Sequence, residues 1–98
     1  MSGAGPLPFP EIEALIRARL ATLNAERIEL IDDSAQHAGH AGARSGGHYR
    51  LHIVAAGFAG KATLARHRLV NEALGDLMRT HIHALSIRAQ TPEESTQA

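Results

Sequence analysis

The chain has 98 residues, of which 44% are hydrophobic but only two are Phe, one is Tyr and none is Trp, so one modest domain with an aliphatic core is all it can build. Ten acidic residues balance ten Lys and Arg, which argues against a strong, sequence-independent grip on nucleic acid. The lack of cysteine excludes disulfides and thiolate chemistry, and no apolar run approaches the ~20 residues that span a bilayer, so a cytoplasmic location is expected.

In chain order, residues 1–9 are small and rich in Gly and Pro, and read as a flexible tail ahead of a domain over 10–91. Ile12, Leu15, Ile16, Leu20 and Leu23 recur at helical spacing and predict a first helix over 10–23. Pro10 suits its first turn, and Glu11 and Glu13 suit the positive end of its dipole. The run RIELID over 27–32 reads as a strand. A long polar stretch follows over 32–48, carrying His37, His40 and His48 among Gly39, Gly42, Gly46 and Gly47. Stretches of this length without periodicity are more often functional than merely connective.

Tyr49, Leu51, Ile53 and Ala55 then alternate with His48, Arg50, His52 and Val54, the period of a half-buried strand. Phe58 between Gly57 and Gly60 reads as an apolar plug in a tight turn. Leu64, His67, Val70, Leu74, Leu77 and Met78 predict a second helix over 63–80, with Gly75 inside it. Residues 83–89 form the last predicted strand, with His83, Leu85 and Ile87 of one parity. Residues 92–98 are a C-terminal tail with a capping pattern at Thr91, Pro92 and Glu94 but no apolar face to bury. Helix, strand, strand, helix, strand is an α+β order, with a three-stranded sheet and helices packed on one face.

Catalytic signatures are missing. There is no GxSxG elbow, P-loop or dinucleotide fingerprint, and Asp32 with Asp33 is explained by capping at a loop entry, so no enzymatic activity is expected. The histidines remain. His37 and His40 have the HxxH spacing of two ligands on one turn, a weak signal by itself. His83 falls at the sheet rim, where a stretch folding back would let His37 meet it. Two imidazoles make half of a tetrahedral site, so a stable metal there needs ligands from a second molecule. His67 reads as a core-edge residue, and His52 and His81 as surface residues. Lys61, Arg66, Arg68 and Arg79 are the cations available to nucleic acid, although Arg66 and Arg68 lie about 200° apart around a helix. Gly57 to Gly60 has the letters of a GxxG backbone clamp, but follows a strand instead of a helix.

Taken together, DDSAQHAGH, GGHYRLHIV, FAGKATLARHRLVNEAL and IHALSIRAQTPEE resemble the BolA family over residues 11–94. The specific parts are Asp33-Ser34 with His37, Phe58-x-Gly60, Arg66-His67-Arg68 and His83-Ala84-Leu85. The resemblance implies an αββαβ domain similar to a class II KH fold. It implies a monothiol glutaredoxin as partner and a [2Fe–2S] cluster shared with it, glutathione being supplied through the glutaredoxin. The family's invariant histidine maps onto His83. Without cysteine, the chain falls in the subgroup whose loop ligand is histidine, with His37 at the matching position and His40 as the alternative. The surface around Lys61, Arg66, His67 and Arg68, with the start of the last strand, is then expected to dock the partner, with a monomer or weak homodimer as the free form. Family members described as transcriptional regulators imply DNA binding through the KH-like face as the alternative function.

Overall fold

The computed structural model describes residues 7–33 and 47–96. Helix α1 spans Phe9–Leu20, with Pro10 in its first turn and the Pro8 carbonyl accepting from the Glu11 and Ile12 amides. Proline there removes an amide that would have no helical partner. Ile12, Ile16 and Leu20 are buried, while Arg17 bonds Glu13 one turn back on the solvent side. The helix ends sooner than residue 23. A 3-10 turn covers Ala21–Leu23, and Asn24 at φ 53° reverses the chain in the left-handed region that Asn tolerates.

Strand β1, Arg27–Asp32, runs antiparallel to β2, Gly47–Val54, and β2 runs parallel to β3, Ile82–Gln90. The sheet order is β1-β2-β3, so β2 is central. Its pleat sorts the side chains: Tyr49, Leu51 and Ile53 are buried, while His48, Arg50 and His52 face the other way. Ile28 and Leu30 of β1 and Leu85, Ile87 and Ala89 of β3 extend the buried face. Against it pack Ile16 and Leu20 of α1, Val70 and Leu74 of the next helix, and Phe58. Each such side chain contributes about 1.5–3 kcal/mol on full burial. Among the described residues, the helices that pack on the core lie on this buried face. The fold is the expected α+β arrangement.

Leu7 and Phe9 pack on this core, and Phe9 stacks on Tyr49 with ring centroids 6.0 Å apart. The second predicted helix is two: α2 over Thr63–Leu74 and α3 over Leu77–Thr80. Gly75 between them adopts φ 56°, which glycine alone adopts without strain. Arg19 seals the break, donating to the Leu74 carbonyl at 2.9 Å and to Asp76 at 3.0 Å. That bond is the main reason the Asp76 carboxyl is held below its usual range.

After β3, a short helix α4 covers Pro92–Thr96. The capping pattern is realised: the Glu94 amide donates to Thr91 Oγ1 at 3.2 Å, and the Thr91 amide donates to Glu94 Oε1 at 3.0 Å. Arg66 completes the clasp, donating to both Glu94 oxygens at 2.6 and 3.1 Å and to the Ala89 and Lys61 carbonyls. What looked like a plain tail is tied to the body by one guanidinium.

Candidate metal and partner site

The site is built where β2 and β3 begin. Gly47 pairs with Ile82 but His48 pairs with Ala84, so His83 is an extra residue in an otherwise regular parallel ladder. A bulge of this kind re-aims a side chain. Here it changes parity: Ile82 is buried, His83 and Ala84 are both exposed, and Leu85 turns back to the core. His83 does not share a parity with Leu85 and Ile87, as alternation alone suggests. It stands on the open side of the sheet, beside His48.

The two imidazoles are in contact, with ring centroids 4.9 Å apart and planes 44° to one another. His48 is half-buried and His83 exposed. Backbone bonds hold both strands in place. The Gly47 amide donates to the His81 carbonyl at 3.2 Å, and the Asp33 amide donates to the His48 carbonyl at 2.7 Å. Glycine at 47 is required by packing, because a Cβ there would overlap the Tyr49 ring and hydroxyl. Burial, followed by the Asp32 charge, pushes the Tyr49 phenol up.

Next to the pair lies an open cleft of about 540 Å³, lined by Asp33, His48, Arg50, Ala84 and Ser86 among others. Arg50 grips Asp33 with two bonds, at 2.6 and 3.3 Å, which raise the arginine pKa further. Asp33 thus anchors the end of β1 directly against β2. The segment bearing His37 and His40 starts one residue later. Both histidines lie outside the described residues, so their distance to His83 is not part of the geometry.

Farther along the same face, His52 bridges all three strands. Its Nδ1 lies 3.3 Å from Glu29 Oε1 and its Nε2 lies 2.7 Å from the Gln90 side-chain oxygen. The His52 bond, then the charge of Arg27, lowers the Glu29 carboxyl. His52 is a cross-strand link, a role that its register opposite Glu29 could have suggested. His48 is the residue that sequence reasoning passed over as a ligand. Its signal was present in the GGHYRLHIV segment, but only the bulge at His83 shows the two rings meeting.

The cationic group separates. Lys61 and Arg68 are exposed and His67 is half-buried. Arg66 is set apart from them: its side chain is 12% exposed and bound to Glu94 in the clasp. Its guanidinium also sits 6.0 Å from the Phe58 ring centre. Gly57 to Gly60 forms a 3-10 turn over Ala56–Phe58 that seats Phe58 in the core, with Gly60 at φ 75°.

Among the described residues no three His, Asp or Glu side chains converge to make a closed metal cage. None of the described helices is long and apolar enough to cross a membrane.

The family model for BolA-like protein matches residues 20–94. The chain belongs to the BolA-like family. BolA-like protein 1 of mouse is 42% identical over 92 residues, covering 93% of this chain and 66% of the mouse protein. This chain therefore spans just under two thirds of that relative. The solution structure of mouse BolA1 matches with a TM-score of 0.73 at 39% identity, over 100% of this chain and 80% of that one. The BolA domain of SufE1 from Arabidopsis thaliana matches with a TM-score of 0.72 at 39% identity, over 90% of this chain and 98% of that domain. A Vibrio cholerae protein described as the DNA-binding transcriptional regulator BolA is 37% identical over 87 residues, 88% of this chain and 80% of its own length. In this chain, the His83 bulge and the Arg66 clasp occupy opposite ends of the β2–β3 pair.

Proposed function

We propose that this BolA-like chain is a non-enzymatic iron–sulfur adaptor that binds a monothiol glutaredoxin and shares a [2Fe–2S] cluster with it. The observation that carries the reading is the exposed imidazole of His83, re-aimed by a bulge onto the open rim of the sheet beside His48. The donor set suits such a cluster. Two histidines on one iron, with thiolates on the other, is a known ligand pattern, and this cysteine-free chain can supply only the histidine half. The glutaredoxin cysteine and glutathione are the thiolate half in this reading.

His83 is the first ligand in this reading, and His37 the second, with His40 as its alternative in the same segment. His48 is a further candidate, since its ring already lies against that of His83. The Arg50–Asp33 pair holds the end of β1, just before the His37 segment, against the strand that carries His48. When bound, the cluster supplies one-electron and transfer chemistry; histidine ligation raises its potential relative to all-thiolate coordination. The chain's own residues provide neutral imidazole nitrogens and an open rim that a partner can cover.

A second reading, a DNA-binding regulator, is favoured by the name of the Vibrio cholerae relative and by the exposed Lys61 and Arg68. The commitment of Arg66 to Glu94 and the balanced net charge weaken it.

The test is a visible absorption and circular dichroism titration of glutathione-loaded [2Fe–2S] monothiol glutaredoxin with this protein under anaerobic conditions. A spectral shift saturating near one-to-one, lost with His83→Ala and altered with His37→Ala or His48→Ala, is expected. An unchanged spectrum with both proteins folded would overturn the reading, and steeply salt-dependent DNA binding would then favour the second one.

A further inference from the structure

We propose that two copies of this chain pair through the outer edge of β3, antiparallel about Ser86, and so join their two sheets into one. β3 is an edge strand, hydrogen-bonded to β2 on one side only. Two bonds fix which of its backbone groups point outward. The Gln90 carbonyl accepts from the Ala55 amide at the end of β2, whereas the Ala89 carbonyl accepts from Arg66. Alternation along the strand then turns the backbone of Ala84, Ser86 and Arg88 towards β2, and that of Leu85 and Ile87 outward. Among the described residues, nothing bonds the Leu85 or Ile87 backbone on that side.

An unpaired edge is a template for another strand, and proteins usually blunt it with charge, proline or a bulge. The other edge strand, β1, is blunted by Arg27, Glu29 and Asp32 within its 6 residues. β3 is 9 residues long, and beyond the bulge at His83 it carries one charge, Arg88, and no proline. Leu85 and Ile87 are only half-buried, so each keeps apolar surface for a neighbour to cover.

The occupant is a second copy because this edge complements itself, as a two-fold contact requires. Centred on Ser86, antiparallel pairing sets Leu85 of each copy opposite Ile87 of the other. Each such pair gains an apolar neighbour and exchanges both backbone bonds. On the open face Ser86 meets its own copy and Arg88 meets the small Ala84, so no like charges oppose one another. Neighbouring registers fit worse. Centring on Leu85 sets Arg88 against the buried Ile82, and centring on Ile87 runs into Ala89, whose carbonyl Arg66 holds. A formal net charge of +0 leaves no long-range repulsion between copies. So short a ladder covers far less than the roughly 1,200–2,000 Å² of a tight interface, and the dimer is weak and concentration-dependent.

The experiment uses the full chain, which has no cysteine of its own, so a single introduced thiol can cross-link only between copies. Residues opposed at the narrow positions of an antiparallel ladder lie about 4.5 Å apart at Cα, within disulfide reach. In a thiol–disulfide buffer, Ser86→Cys should form a covalent dimer roughly tenfold faster than Ala18→Cys on the exposed side of α1, because pairing raises the effective thiol concentration. Ala84→Cys should cross-link with Arg88→Cys and not with itself. Sedimentation equilibrium of the parent should rise towards twice the monomer mass with concentration. Ser86→Lys opposes two ammonium groups and should hold the chain at monomer mass, with Ser86→Arg in its place if far-ultraviolet dichroism is lost. A parent that stays monomeric up to millimolar protein, a folded Ser86→Lys that still doubles in mass, or Ser86→Cys no faster than Ala18→Cys would each overturn the pairing. Cross-linking of Ala84→Cys with itself in preference to Arg88→Cys would overturn the register. No glutaredoxin enters these measurements, so their failure leaves the cluster-sharing reading standing.

Discussion

At the far end of the parallel β2–β3 pair, where Val54 faces Gln90, the Arg66, Thr91 and Glu94 groups are turned inward on the protein itself. Arg66 binds Glu94 and two backbone carbonyls, Thr91 and Glu94 cap each other, and Phe58 fills the space beneath. At the near end, where Gly47 faces Ile82, the ladder breaks its own register and leaves His83 exposed against His48. A regular ladder would have aimed His83 into the core. The comparison teaches that one end of the sheet is closed for stability and the other is left open, and it is on the open end that the proposed function rests. A guanidinium can be a structural part, and a bulge a functional one.

The largest effect should come from emptying the closed end. Phe58 is 1% exposed, and Phe58→Ala is expected to cost about 3–5 kcal/mol in chemical denaturation, a large share of a small domain's stability. Gly47→Ala comes next and attacks the open end. The added methyl overlaps the Tyr49 ring, so a loss of about 1–3 kcal/mol is expected. Nuclear magnetic resonance should show the His48 and His83 ring signals moving with it.

Arg66→Met is a smaller and pH-dependent lesion. The Arg66 bonds, followed by the Thr91 amide, hold the folded Glu94 carboxyl at about 2 against an ordinary 4.5. A depressed carboxylate stabilises the fold fully above its unfolded value and loses that contribution as pH falls from about 4.5 towards 2. The Tm of Arg66→Met should therefore lie below that of the parent at neutral pH and approach it as pH falls through this window. A gap that is constant with pH would mean the clasp works by packing alone. Smallest is Arg17→Ala, which removes one exposed pair with Glu13 on α1 and should cost about 0.2–0.5 kcal/mol. His83→Ala, on the exposed rim, should change stability no more than this control while abolishing the proposed ligand function.

Much of the fold was legible because burial on β2 follows a two-residue period from Gly47 to Ile53, broken by the buried Val54 at the strand's end, and α1 follows a helical one. The helix break at Gly75 was hidden because the apolar spacing continues across it through Leu77 and Met78; the positive φ and the reach of Arg19 from another helix decide the matter. The clasp was half legible. Thr91, Pro92 and Glu94 spelled a cap, but Arg66, 28 residues earlier, carries no local sign of where its guanidinium goes. The same non-locality explains the site. His83 could be placed at the rim from sequence, whereas its contact with His48 depends on one unpaired residue in the β3 register. His37 and His40 lie outside the described residues, and their role stays with the proposal.

The measurement that bears most directly on the central claim is amide chemical-shift mapping of this chain with cluster-loaded monothiol glutaredoxin. Shifts and broadening are expected to concentrate at His48, His83, Ala84 and Ser86, with Lys61 and Arg68 little changed. Perturbation confined to Lys61 and Arg68, with the His48–His83 rim undisturbed, would contradict the assignment of function to the open end of the sheet.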